Sequence, residues 1–282
     1  MKVYMVGGKG GVGKTTLAGF LSILLSERGK TRIISTDIAH SLRDFFEVRE
    51  RGERFYVRET LEAYEPDIKG ALKEYVEEID RRIRKAFSPV VYRDFEPFLR
   101  FSASDPSNYD TVLFEIVKKE ILKADVDYLV VDTAATAQLL KFFALPDKLI
   151  HWYGLLIKWR QKYLSLKTMV KGDSGEDLLL NHAIKRKKEV EEFKDLLLKS
   201  SFIWVLEPSD LSIRETLRTL EEIKGRINIR GFVFNKSSER PVKVTGVLKK
   251  NLLVEIPLFH REPKPSNEEG RLFLELLKNF LT

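Results

Sequence analysis

Gly8-Lys9-Gly10-Gly11-Val12-Gly13-Lys14-Thr15-Thr16 decides how this chain is read. An apolar run, Val3-Tyr4-Met5-Val6, precedes it, and a helix-like run over 17–25 follows. Gly, four residues, then Gly-Lys-Thr, set between a strand and a helix, is the spacing of a phosphate-cradling loop. Glycines let the backbone curl so that several N–H groups face one anion. The helix that follows adds its positive N-terminal end. Lys14 is placed to reach β- and γ-phosphates, and the Thr15 hydroxyl to coordinate Mg²⁺. A chance glycine-rich turn would have to reproduce strand, loop and helix together.

Lys9 adds a second cation. It sits where an ammonium reaches a triphosphate, in its own subunit or in a facing one; alone it would equally suit a solvated surface lysine. Two acids follow strand-like runs. Asp37 comes after 31–35, at the ligand-binding edge of a parallel sheet. There it can orient or deprotonate a water for attack on a γ-phosphate. It can equally cap the short helix that follows. Asp132 closes the run Tyr128-Leu129-Val130-Val131, the usual place for an acid that meets Mg²⁺, often through water. Residues 133–142 then read as a switch that senses the γ-phosphate, against the plainer reading of a strand-to-helix turn.

Short apolar strands alternate with helical runs along the chain. This predicts an α/β fold, a P-loop NTPase with a mostly parallel central sheet flanked by helices. Strands are expected at 2–6, 31–35, 127–131, 202–206, 229–234 and 252–256. Their Val, Ile and Phe content, without alternation, suits strands buried on both faces. Two helical stretches interrupt the pattern: 66–123, with breaks near Pro89 and Pro106, and 146–199, broken at 172–175. They read as an α-helical subdomain inserted into a single domain spanning 1–282.

Composition narrows the classes. With 32% charged and 43% hydrophobic residues, the chain folds rather than staying disordered. Zero cysteines exclude disulfides, thiolate zinc sites and cysteine-held iron–sulfur clusters, and four scattered histidines argue against a structural metal site. No apolar run is long enough to span a bilayer, which argues against stable membrane insertion. Strand and loop at the very start leave no room for a signal peptide, so a cytoplasmic location is expected. The net charge of +7 admits acidic partners. The densest basic run, Lys185-Arg186-Lys187-Lys188, precedes Glu189, Glu191 and Glu192 and lacks interleaved aromatics. It reads as a solvated helix face and argues against nucleic acid.

Two amphipathic stretches have open destinations. Leu149, Trp152, Tyr153, Leu156, Trp159, Tyr163, Leu166 and Val170 recur at helical spacing. Burial against neighbouring helices is the favoured reading, and an exposed groove for a partner the other. Leu272, Phe273, Leu276, Leu277 and Phe280 line a C-terminal helix. Docking on the sheet is expected over membrane binding, because acids accompany its few cations.

Ordered motifs carry a resemblance over nearly the whole chain. The loop with Lys9 resembles that of the dimerising ATPases with a deviant phosphate loop, among them the Min and Par positioning ATPases. Asp37-Ile38-Ala39-His40-Ser41-Leu42 and the run from Asp132 through Leu145-Pro146 resemble both switches of the arsenical pump-driving and tail-anchored-protein-targeting ATPases. Pro208 with 211–216, Phe234-Asn235-Lys236 and Ile256-Pro257-Leu258-Phe259 match further along. The resemblance implies a homodimer closing around two ATP molecules, with Lys9 reaching the opposing nucleotide and Asp37 positioning water. It implies Mg²⁺ held by Thr15 and Asp132, and Asn235 reading the adenine ring with Pro257 beside it. It also implies that closure moves the helical insertion, which in the targeting branch receives hydrophobic transmembrane segments. A hydrophobic protein client or a membrane-protein partner follows.

Departures qualify this. Ile38, Ala135, Ala137 and Gln138 replace the usual proline, proline, glycine and histidine, and Pro265 stands where glycine usually follows Glu-Pro-Lys. Ala137 does not easily adopt positive φ, so turnover is expected to be slow while nucleotide binding survives. The zinc-ligand and metalloid-binding cysteines of the two branches are missing. The leading expectation is an ATP-hydrolysing dimeric switch. A Min- or Par-type ATPase acting on membrane or nucleic acid is the alternative, and a near-inactive nucleotide-binding scaffold is a third reading.

Overall fold

The computed structural model describes residues 1–37, 41–50, 52–86, 93, 108–171, 177–237 and 246–281. Ile38 and the breaks expected at Pro89, Pro106 and 172–175 lie outside the described residues. The strands are β1 (Lys2–Gly8), β2 (Thr31–Ser35), β3 (Arg54–Arg58), β4 (Leu61–Tyr64), β5 (Tyr128–Asp132), β6 (Ser201–Leu206), β7 (Asn228–Ser237) and β8 (Leu252–Pro257). They form one sheet in the order β3-β4-β2-β5-β1-β6-β7-β8. Every pairing is parallel except β3 with β4.

Adjacent residues of the central strands serve opposite faces, and both faces are covered. Val6, Ile33, Val130, Ile203 and Val205 join one core with α1 (Lys14–Ser26) and α2 (Ser41–Phe46). Met5, Ile34, Val131, Phe202 and Trp204 join a second core with α4 (Asn108–Lys123), α5 (Thr136–Lys171) and α6 (Leu178–Lys199). This is the continuous apolar pattern of a doubly covered parallel sheet. The remaining helices are α3 (Ile68–Ala86), α7 (Asp210–Glu222), α8 (Gly246–Lys250) and α9 (Glu268–Leu281).

The β3–β4 hairpin was not among the expected strands. Its residues alternate, with Phe55, Leu61 and Ala63 inward and Tyr56 and Arg58 exposed. Such a mixed edge ribbon lacks the unbroken apolar run that marks the central strands. At the other end of the chain, α9 docks on the body as expected. Its Phe273 stacks on Phe20 of α1 at 4.8 Å between ring centroids, and Leu277 is fully buried.

Two expectations for α5 need correction. The helix starts at Thr136 rather than Pro146, and it runs through that proline. Pro146 offers no N–H to the carbonyl of Phe142 one turn back. Burial of Leu139, Phe142 and Phe143 holds the helix on either side of that gap. The aromatic stripe is also not buried along its length. Tyr153 and Leu149 pack against the second core, but Trp152, Trp159, Tyr163 and Leu166 are exposed, Trp159 by 71%. The reason is length: 36 residues at a 1.5 Å rise make a rod of about 54 Å, which outruns the sheet layer. Val170's side chain lies outside the described residues. Among the described residues, no helix is long and apolar enough to cross a membrane.

Candidate nucleotide-binding site

The carboxyl ends of β1, β2 and β5 lie side by side, with Val6 and Ser35 both in register with Asp132. Ligands of open α/β sheets bind along this edge. β1 ends at Gly8, and the loop closes onto α1, whose N-cap Gly13 has φ 92°. That conformation favours glycine, and a Cβ at position 13 would overlap Nδ2 of Asn235. Asn235 donates from Nδ2 to the Val12 carbonyl at 2.8 Å. Lys236 donates to the Gly11 carbonyl at 2.6 Å and pairs with Glu207 at 3.0 Å. The end of β7 therefore braces the loop through two carbonyls. Its Lys236 adopts φ 58°, uncommon for a side-chain-bearing residue.

Lys14 lies along this loop and donates from Nζ to the Lys9 carbonyl at 2.9 Å. Burial lowers its pKa, opposed by the carboxylates of Asp132 and Asp37. Thr15, one residue on, donates to Asp132 Oδ2 at 2.7 Å. Asp132 is fully buried, and its Oδ1 has no hydrogen-bond partner among the described residues. Burial pushes its pKa up to about 7; Thr15 and Lys14 pull against this, while Asp37 and Glu65 add to it. A buried carboxylate oxygen without a partner, beside a hydroxyl, fits a hard cation such as Mg²⁺. No group of three or more His, Cys, Asp or Glu could hold a metal among the described residues. Phosphate oxygens and water are the natural further ligands for a cation at this pair.

The remaining expected residues surround this centre. Asp37 is exposed at the end of β2, and its N–H donates to Ser35 Oγ at 3.2 Å. Lys9 pairs with Glu215 of α7 at 2.8 Å, both side chains about half exposed. Pro257 is exposed at the end of β8, in register with Ser237 of β7. Ala137 lies in the first turn of α5 and has no positive φ; among described non-glycine residues only Glu47 and Lys236 do. The concern about glycine at 137 therefore does not apply to this conformation.

Three contacts were missed in the sequence. Thr36 ties the two switch segments together: its N–H and hydroxyl both donate to the Asp132 carbonyl, at 2.9 and 3.1 Å, and its hydroxyl accepts from Ala134 N–H at 2.8 Å. Glu215 holds Lys9 of the loop, and Glu207 holds Lys236 at the end of β7. Only the strand-end position of Thr36 and Glu207 hinted at them.

Comparison with known proteins agrees with this geometry. The profile of the anion-transporting ATPase family matches residues 1–249. A protein of Aquifex aeolicus (strain VF5), provisionally named arsenical pump-driving ATPase 2, is 31% identical over 99% of this chain and 98% of its own length. ATPase GET3A of Arabidopsis thaliana is 29% identical over 84% of this chain and 67% of its own. An ATPase ASNA1 homolog of Entamoeba histolytica is 29% identical over 79% of this chain and 72% of its own.

Proposed function

The chain belongs to the anion-transporting ATPase family and is an ATPase, and on that premise we propose a Mg²⁺-dependent switch that closes as a homodimer in the cytoplasm. The observation that carries this reading is the Thr15–Asp132 pair set at the mouth of the Gly8–Lys14 loop. In this proposal Gly10, Gly11, Val12, Gly13 and Thr16 turn backbone N–H groups toward the phosphates, and Lys14 moves from the Lys9 carbonyl onto the β- and γ-oxygens. Thr15 and Asp132 hold Mg²⁺, Asp132 through water. The bound ion neutralises charge on the triphosphate. Asp37 orients the attacking water. Asn235 offers its amide oxygen to the adenine amino group while its Nδ2 steadies the loop, and Pro257 packs beside the base.

Lys9 serves the neighbouring nucleotide in this reading, so it leaves Glu215 on closure. Closure also moves the helical layer of α3, α4, α5 and α6, which receives an apolar partner or client. The exposed stripe on α5 supports that role. A role on arsenic does not transfer, because the chain has no cysteine to bind a metalloid. The Min- or Par-type alternative draws on the basic balance of the chain and on the C-terminal helix; of these the helix gives less support, since Phe273 and Leu277 of α9 are buried.

Phosphate release from Mg²⁺ and ATP tests the proposal. Wild type should turn over slowly, and Lys14→Ala should abolish release. Asp37→Asn should bind ATP normally and stop turnover. Wild type that neither binds nor hydrolyses ATP would falsify the reading, and unchanged turnover in Asp37→Asn removes that residue from its role.

A further inference from the structure

Residues 148–171 of α5 contain no Asp or Glu, yet carry Lys148, Lys158, Arg160, Lys162, Lys167 and Lys171. Residues 1–26 are likewise without acids but carry only three basic residues, so six cations within one acid-free helical stretch stand apart. At 100° per residue, Trp152, Leu155, Trp159, Tyr163 and Leu166 fall on one stripe of the helix. All five are exposed: 53%, 40%, 71%, 54% and 54%. Lys158 and Lys162 are exposed along one flank of that stripe, and exposed Lys148 lies in line with it, one turn before Trp152. The opposite flank faces the bundle, where Tyr153 and Leu149 meet the second core and Arg160 pairs with Asp177 at 2.8 Å.

An apolar stripe of Trp, Tyr and Leu, flanked by Lys158 and Lys162 and headed by Lys148, matches the layered chemistry of a bilayer surface. Indole and phenol rings settle at the headgroup level, with leucines reaching the acyl boundary. Lysines beside them meet anionic headgroups. We propose that the outer face of α5 docks on an anionic lipid surface, lying in the interface without crossing it. This names the partner class of the helical layer and rests on the reading that the layer meets an apolar partner. It does not depend on the nucleotide chemistry. A hydrophobic peptide or a second copy of the chain would also cover the tryptophans. Neither calls for an acid-free basic flank, and a second copy would set these lysines against its own cations.

Tryptophan makes the test selective. Trp204 is 1% exposed in the core, so lipid-borne quenchers can reach only Trp152 and Trp159. Vesicles of phosphatidylcholine alone, and with about one-third phosphatidylserine, would carry brominated acyl chains. The expected result is quenching and co-sedimentation with the anionic vesicles at low salt, weakened at high salt. Lys158→Glu with Lys162→Glu should lower partitioning by roughly tenfold or more while ATP hydrolysis is unchanged. Trp152→Phe with Trp159→Phe should abolish quenching. Lys14→Ala should still bind vesicles, so failure of the ATPase reading and failure of this one are separable. Four outcomes overturn the proposal: no quenching on anionic vesicles, equal binding to neutral ones, self-association buried by these tryptophans, or occupancy of the stripe only by an apolar peptide.

Discussion

The two carboxylate oxygens of Asp132 have different fates. Oδ2 accepts from Thr15 at 2.7 Å, and Oδ1 is buried without a partner among the described residues. Burial raises the pKa from an ordinary 3.8 to about 7. Between those values the folded chain holds a proton that the unfolded chain has lost. Stability from this group is therefore present at acid pH, falls as pH rises from about 4 to 7, and is level above that. Asn at this position stays neutral and should escape the loss. Thermal unfolding without nucleotide should give Asp132→Asn a Tm near wild type at pH 4 and a higher one at pH 7.5. The same variant should lose about a hundredfold or more in Mg²⁺-dependent turnover. An equal pH trend in both proteins would show that Asp132 is ionised throughout. The stability cost and the chemistry reside in the same orphaned oxygen, as expected where a group is placed for a ligand.

Elements reveal how far the sequence could be read. The central strands were legible because unbroken apolar runs can only be buried between two layers, and the loop because its glycines and lysine keep fixed spacing. The β3–β4 hairpin was not, since half its residues face solvent. The extent of α5 was misjudged because Pro146 is a local stop signal that tertiary packing overrides. Its tryptophan stripe could not be assigned, because helical spacing alone does not reveal how far the neighbouring layer extends. The bracing of the loop by Asn235 and Lys236 joins residues more than 220 positions apart, beyond the range of local patterns. In contrast, α9 behaves as its pattern suggested. Phe273→Ala removes a ring stacked on Phe20 and tilted against Phe259, and should lower stability by about 3–5 kcal/mol. Denaturant unfolding measures this. A loss below about 1 kcal/mol would mean that α9 is only loosely attached and free for a surface role.

At the scale of the whole molecule, charge and symmetry bear on closure. Each chain carries +7, so two chains approach against like charge. Bound triphosphates would bring negative charge to the contact, which makes nucleotide a condition for pairing under the proposed dimer. Lys9 starts from a pair with Glu215 in its own chain, and exposure of both partners keeps that pair weak. Such surface pairs contribute about 0.2–1 kcal/mol. A two-fold dimer breaks one in each chain, so the term counts twice. Glu215→Gln should therefore tighten the dimer formed with Mg²⁺ and a non-hydrolysable ATP analogue by about two- to thirtyfold. Sedimentation velocity over a concentration series reads this directly. The gain should shrink with added salt, since screening already weakens the pair in wild type. A weaker dimer in the variant would instead assign Glu215 to the interface, and no nucleotide-dependent dimer in either protein would leave Lys9 to serve only its own chain.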